Sequence, residues 1–309
     1  MDALESVNFN SDSSISIIKS LQDKSEVKLI LPESLHKVSN NIYATVCSIR
    51  IGLLRRNEYA VGKKYKINLN KLDCILFRKD PPVNHEYIII LQMLRELEFQ
   101  DTLVLNSPAA LMQFNEKVLG YNLSKPKIPT VIGNNIKEIK KLLTEYNEIV
   151  LKPINLMAGN GIIKIKNKKD SDKVIKEYLR KYKIAVAQKY LAAIKNGDNR
   201  IIVYNGIIEK NILTRYPPRN DFRANIIFGG DYEINQIQKK YIPLIEEIAA
   251  FLKYHGIFIA GIDMIGKYIT EINITSPTGI QQIGNGLSMK VANQILKSID
   301  SYHGHIYEK

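Results

Sequence analysis

Cysteine is nearly missing from this sequence, long apolar runs are absent, and the start carries no signal-like pattern; each shortage removes a class of protein. Cys47 and Cys74 are too few for a disulfide framework and stand in no metal-ligand spacing. The run Tyr87-Ile88-Ile89-Ile90-Leu91 is bounded by polar residues within a few positions, far short of the roughly 20 apolar residues that a membrane helix needs. The first residues are acidic and polar, without the charged-then-apolar order of a signal peptide. A reducing, cytoplasmic setting is therefore the expectation, and the sequons Asn122-Leu123-Ser124 and Asn273-Ile274-Thr275 carry no meaning there. No internal repeat or low-complexity tract is present, and glycine and proline are scattered. No Ser/His/Asp or Cys/His arrangement suggests a side-chain nucleophile.

What remains is an ordinary globular chain of 309 residues, 45% hydrophobic and 24% charged, long enough for about two to three modules with a sizeable core. Its 44 lysines and arginines against 31 acids give a formal charge of +13, which suits nucleic acid, a membrane surface or an anionic small substrate. The excess is densest in 164–183, with nine basic and three acidic residues. There Val174, Ile175, Tyr178 and Leu179 recur at helical spacing beneath the charges, so the segment reads as a solvated helix face. No interleaved aromatics make a base-stacking platform, and neither a nucleic-acid nor a membrane partner is expected.

Apolar strand-like runs alternate with periodic helical segments, which predicts an α/β architecture. Strands are expected over 27–31, 74–77, 102–105, 148–151, 184–187 and 199–204, the last closed by a turn at Asn205-Gly206. Ser107-Pro108 predicts the start of a helix running through Leu111, Phe114 and Val118. Ile136, Ile139, Leu142 and Leu143 mark another. A third covers 242–254 and stops at Gly256. Residues 1–14 read as a loop following an opening strand, so a doubly wound N-terminal domain would have its first strand missing or upstream.

Two final strands, 257–265 and 268–275, carry the candidate chemistry. The period of two puts Glu271 and Asn273 on one face and Thr270, Ile272 and Ile274 on the other. An odd loop centred on Lys267 sets Asp263 opposite Glu271, whereas a two-residue Gly266-Lys267 turn pairs it with Thr270 and faces it away. In the first register three oxygen-bearing side chains converge in a way that suits Mg²⁺; in the second they are polar residues on a wet hairpin face. Lys152 at a strand end, the loop 155–161 with its backbone amides, and Lys117 after Asn115-Glu116 are the accompanying phosphate-binding candidates.

The order Asn115-Glu116-Lys117, Leu151-Lys152-Pro153, Gly197-Asp198-Asn199-Arg200, Arg223-Ala224-Asn225 with Gly229-Gly230, and Thr270-Glu271-Ile272-Asn273-Ile274-Thr275-Ser276-Pro277-Thr278 resembles bacterial glutathione synthetases. Asp12-Ser13-Ser14 and Arg78-Lys79-Asp80-Pro81-Pro82 are similar too, and the likeness spans about residues 1–283. The resemblance implies an N-terminal doubly wound domain (1–112) followed by an ATP-grasp domain. The latter divides into a small lid with its connecting helix (113–195) and a C-terminal antiparallel-sheet subdomain (196–309). It implies an ATP-dependent ligase that joins γ-glutamylcysteine to glycine with Mg²⁺ or Mn²⁺, and a cytoplasmic homotetramer. By the same resemblance, Lys117, Lys152, Gly159 and Gly161 serve the ATP phosphates, Gln188, Tyr190 and Leu191 the adenine, and Asp198 the ribose side. Asp263, Glu271 and Asn273 hold the metal. Arg200, Arg215, Arg223 and Asn225 face the transferring phosphoryl group and the substrate carboxylate, while Arg78, Asp80, Ser276 and Pro277 contact substrates.

The chemistry calls for such residues. A carboxylate is a poor electrophile until ATP phosphorylates it, and cations in a dry site stabilise the charge gathered in that step. Three arginines suit a site that holds both carboxylate and phosphate.

Some positions depart from the resemblance. Leu156 and Ala158 stand where glycines are usual in the phosphate loop, Pro217-Pro218 stiffens a second loop, and Gln281-Gln282 replace an Arg-Glu pair. Two alternatives follow: a ligase with another acceptor or donor, and a nucleotide-binding module without turnover.

Overall fold

A computed structural model describes residues 1–2, 4–52, 59–224 and 229–307. Its parallel pairing is limited to one βαβ unit among these residues: strands Cys74–Leu76 and Leu103–Leu105, joined through the helix His85–Leu97. Asn84 caps that helix by accepting from Tyr87 N, and Leu91, Leu94 and Leu97 at helical spacing fill the core beneath. Beside the unit lies an antiparallel sheet built on the long strand Asn41–Ile51, against which Lys28–Ile30, His36–Val38, Tyr59–Val61 and Tyr65–Asn68 pair.

Residues 130–189 form a four-stranded antiparallel sheet in the spatial order Ile163–Lys166, Glu148–Pro153, Ala185–Lys189, Thr130–Gly133. Two helices, Ile136–Tyr146 and Ser171–Tyr182, cover one face. Alternation divides the strand Glu148–Pro153: Ile149 and Leu151 enter the core under the helices, while Val150 and Lys152 line the cavity opposite. In the basic helix, Ile175, Tyr178 and Leu179 are buried as expected, but Val174 faces outward.

The largest sheet runs Asp231–Gln236, Asn211–Tyr216, Asp198–Tyr204, Ile259–Ile265, Tyr268–Asn273, all antiparallel, with Ile207–Ile208 added beside the third. Ile201, Val203, Ile262, Ile269, Ile272 and Ile274 fill the core on one face, together with the helix Ile242–Tyr254. Asn205 and Gly206 both take positive φ, as a tight hairpin of this twist requires.

Three sequence expectations change. The helix expected to run unbroken from Ser107 past Val118 is two helices, Pro108–Gln113 and Glu116–Leu123. Asn115 breaks it by turning extended and capping the second helix, its side chain accepting from Lys117 N and Val118 N. Lys117 thus lies in a first turn rather than late in a helix. His303 and His305, expected in a tail that need not be ordered, fall in the helix Leu287–Tyr307, whose Leu287, Val291 and Ile295 are buried. The loop expected up to Ser14 gives way at Ser13 to a helix, Ser13–Leu21, capped by Asp12.

Candidate active site

Between the four-stranded sheet and the largest sheet lies a cavity of about 430 Å³. Its charged wall is written in strand register. Asp263 pairs with Arg200 on one neighbouring strand and with Glu271 on the other, while Asp198 pairs with Arg215. The hairpin reaches this arrangement by a route the sequence reading did not contain. The turn is the two-residue one, Ile265 opposite Tyr268 and Met264 opposite Ile269, which alone would pair Asp263 with Thr270. A bulge at Thr270 absorbs one residue and sets Glu271 opposite Asp263. Thr270 Oγ1 donates to Asp263 O at 3.2 Å and secures the bulge.

The side chains join into a ladder of alternating charge. Arg200 grips both oxygens of Asp263, with Nη2 to Oδ2 at 2.8 Å, and donates through Nη1 to Thr278 O at 3.0 Å. Arg215 Nη2 lies 2.6 Å from Asp198 Oδ2 and 3.0 Å from Asp263 Oδ1. Asn273 Nδ2 donates to Asp263 Oδ2 at 3.1 Å. Burial alone would raise the Asp263 carboxyl, but Arg200 and then Arg215 outweigh it and hold it near 2. Asp198 goes the other way: burial outweighs Arg215 and lifts it to about 6. Its Oδ1 is buried without a hydrogen-bond partner among the described residues, as is Arg215 Nε.

Lys152 stands across the cavity, where burial lowers its pKa and Glu271 partly restores it. Lys117, 4% exposed, lies behind the wall rather than in it, its Nζ 3.0 Å from Glu271 Oε1 and donating to Leu156 O at 2.7 Å. It joins the oxygen-bearing strand to the phosphate loop. Gly120, one turn further along the helix, permits that closeness: a Cβ there would stand 2.8 Å from Glu271 Cα.

The phosphate loop bends through three positive-φ positions, Ala158 (φ 56°), Gly159 (78°) and Gly161 (70°). Gly159 lines the cavity and its carbonyl accepts from Arg223 Nη1 at 3.0 Å. Gly161 lies outside, pressed on Pro153 and Tyr182. Gln188, Tyr190 and Leu191 line one end with the apolar Ile128, Val150, Met157 and Ile194, a flat-sided surround suited to an aromatic ring. Arg78, Asp80, Ser276 and Pro277 line the other end. There Arg78, 3% exposed, donates to Ser14 Oγ at 2.9 Å and Pro277 O at 2.8 Å. Burial raises the Asp80 carboxyl. Asn225 lies outside the described residues.

Gln281 and Gln282 donate to Phe9 O and Ser11 O, holding the segment before the first helix against the cavity's end. Sequence reading passed over Glu116, a cavity-lining carboxylate at the centre of the Asn-Glu-Lys triplet, and over Gly120. The triplet was a visible signal for the first; nothing in the local sequence marks the second.

Among the described residues, no three His, Cys, Asp or Glu side chains converge as a ready-made metal site. Two carboxylates and an amide do converge. Glu271 Oε2 and Asn273 Oδ1 carry no hydrogen bond among the described residues, and both are hard oxygen donors. Glu271 and Asn273 fit a divalent cation whose shell is completed by phosphate oxygens, whereas both Asp263 oxygens are held by Arg200, Arg215 and Asn273 and would join that shell only on release from an arginine.

Comparison with known proteins agrees in fold and extent. Residues 1–112 match the family described as prokaryotic glutathione synthetase, N-terminal domain, and residues 116–287 that described as prokaryotic glutathione synthetase, ATP-grasp domain. Glutathione synthetase of Wigglesworthia glossinidia brevipalpis is 34% identical over 305 residues, covering 97% of this chain and 96% of the relative. That of Vibrio vulnificus (strain YJ016) is 30% identical over 303 residues, covering 97% and 95%. Among solved structures, D-cycloserine synthetase DcsG superposes with a TM-score of 0.61 at 10% identity over 75% of this chain and 86% of that one. The ATP-grasp ligase PsnB, complexed with a precursor peptide and AMPPNP, gives 0.59 at 12% identity over 97% and 96%. These two likenesses are of fold.

Proposed function

The chain belongs to the prokaryotic glutathione synthetase family, and we propose how its cavity carries out the reaction of that family. It is an ATP-dependent ligase that forms glutathione. ATP lies with adenine among Gln188, Tyr190 and Leu191, and with its phosphates between Lys152, the Gly159 loop and the charged wall. Asp198 faces the ribose side. Asp263, Glu271 and Asn273 would hold Mg²⁺ or Mn²⁺, which when bound would neutralise phosphate charge.

Arg200, Arg215 and Arg223 face the γ-phosphoryl group as it passes to the carboxylate of γ-glutamylcysteine. The resulting acyl phosphate is attacked by the glycine amine, and phosphate leaves. Ser276 and Pro277 bound the amine end, with Arg78 and Asp80 behind them. The single observation carrying this reading is the in-register line Arg200, Asp263, Glu271 facing Lys152 across one cavity. Fixed charges there need no reorganisation as the phosphoryl group moves.

An ADP-release assay with ATP, Mg²⁺, γ-glutamylcysteine and glycine tests the reading. Glycine-dependent release that vanishes in Glu271→Gln is the expected result; release independent of glycine, or none, defeats it. The division at 112/113 and 195/196 is proposed with it, as are a cytoplasmic setting and a homotetramer, the last tested by light scattering of the eluted protein. No described helix is long and apolar enough to cross a membrane.

A further inference from the structure

Residues 275–278 form no regular secondary structure, yet charged side chains from a loop, a strand and a helix hold the backbone of this segment. Arg78 donates to Pro277 O at 2.8 Å and Arg200 to Thr278 O at 3.0 Å. At the start of the segment, Glu116 Oε1 accepts three bonds: from Ile274 N at 2.7 Å, Thr275 N at 2.9 Å and Thr275 Oγ1 at 2.9 Å. Two successive amides on one carboxylate oxygen fix two successive peptide planes, those joining Asn273 to Ile274 and Ile274 to Thr275. Ser276, which follows immediately, lines the cavity. The neighbours of Glu116 reach the opposite way: Asn115 Nδ2 donates to Ile154 O at 3.2 Å and Lys117 Nζ to Leu156 O at 2.7 Å. One helical turn thus grips the phosphate loop on one side and the 274–275 backbone on the other.

We propose that Glu116 is the positioning residue for the amine substrate, acting through the backbone of Ile274 and Thr275 on the Ser276-Pro277 wall. The inference rests on the reading of that wall as the amine end and deepens it. Glu116 touches neither ATP nor the reacting atoms in this role, and the bonds it accepts require an oxygen rather than a charge. A glutamine at 116 therefore preserves them, whereas an alanine leaves two buried amides unpaired.

Steady-state kinetics with glycine, γ-glutamylcysteine and ATP varied in turn test the proposal. Absence of glycine-dependent turnover in the wild type would defeat the functional reading itself, separately from this inference. In an active enzyme, Glu116→Ala is expected to raise the glycine KM about tenfold or more, with the ATP KM within about twofold, while Glu116→Gln stays within about threefold of wild type throughout. An unchanged glycine KM in Glu116→Ala, an equal rise for ATP, or failure of Glu116→Gln to rescue overturns it. If Glu116→Ala does not fold, Thr275→Val removes only the hydroxyl donor. A selective rise in glycine KM of about threefold is then expected, and no rise overturns the proposal.

Discussion

Arg200 stands directly opposite Asp263 across two paired strands and holds both of its carboxylate oxygens. Asp198, two residues before Arg200 on the same face, belongs to the same ladder through Arg215. The two carboxylates nevertheless have opposite effects on stability as pH changes. Asp263, held near 2 against an ordinary 3.8, contributes stability that is present above pH 4 and lost as pH falls toward 2, roughly 2 kcal/mol in size. Asp198, raised to about 6, binds its proton more tightly folded than unfolded. Stability from it therefore declines as pH rises from about 4 to about 6, by roughly 3 kcal/mol. Urea unfolding of wild type and Asp198→Asn should show that decline only in the wild type; parallel pH slopes would contradict it.

Gly120→Ala places a methyl group within 3 Å of the Glu271 backbone. Overpacking of this kind costs about 1–3 kcal/mol, and here the helix must move off the strand or Glu271 must shift. Lower thermal stability is expected together with weaker Mn²⁺ binding by paramagnetic resonance. A stable variant with unaltered Mn²⁺ binding would show that the contact is not needed.

Ala158→Gly acts in the other direction. Ala158 sits at φ 56°, where a side chain costs roughly 1 kcal/mol and glycine costs none. The substitution should raise thermal stability by up to about 1 kcal/mol, less whatever the added freedom of the unfolded chain takes back, and leave the ATP KM unchanged. An ATP KM that rises instead would mean that the loop profits from its stiffness.

Lys152→Met should raise the ATP KM by about tenfold to a hundredfold, the loss expected for one charge-assisted phosphate contact. Since burial lowers the wild-type Lys152 pKa, ATP binding should weaken at a lower pH than an ordinary lysine would give. Lys152→Arg should move that alkaline limb upward, as a guanidinium stays charged. Calorimetric titration of ATP against pH reads both.

Five strands of the two inner sheets, Glu148–Pro153, Ala185–Lys189, Asp198–Tyr204, Ile259–Ile265 and Tyr268–Asn273, were legible from their apolar runs and alternation. Ile149 and Leu151 go one way, Val150 and Lys152 the other. Thr130–Gly133, Ile163–Lys166, Ile207–Ile208, Asn211–Tyr216 and Asp231–Gln236 were not expected. Where backbone geometry departs from a simple period, reading failed. Asn115 looked like one polar residue within a helix because no glycine or proline marks the break; its cap is local, accepting from Lys117 N and Val118 N. The bulge did leave a trace: core residues Ile269, Ile272 and Ile274 are spaced three and then two apart. Such a change of phase is what an inserted residue produces. The N-terminal antiparallel sheet went unread because the alternation of Asn41–Ile51 changes phase midway, Ile42, Ala44 and Val46 being buried and then Cys47, Ile49 and Ile51. The closeness of Gly120 to Glu271 belongs to three dimensions alone.

Thr270 pairs with no residue of the facing strand, so the outer strand holds one residue beyond what its pairing consumes. Shortening the chain by that residue would return the core spacing to strict alternation and still leave Asp263 facing Glu271. Removing Ile272, the one residue between Glu271 and Asn273, would turn one oxygen donor to the opposite face. A one-residue change of length in this hairpin is therefore compatible with the Asp263–Glu271 pairing at Thr270, and parity guards the rest.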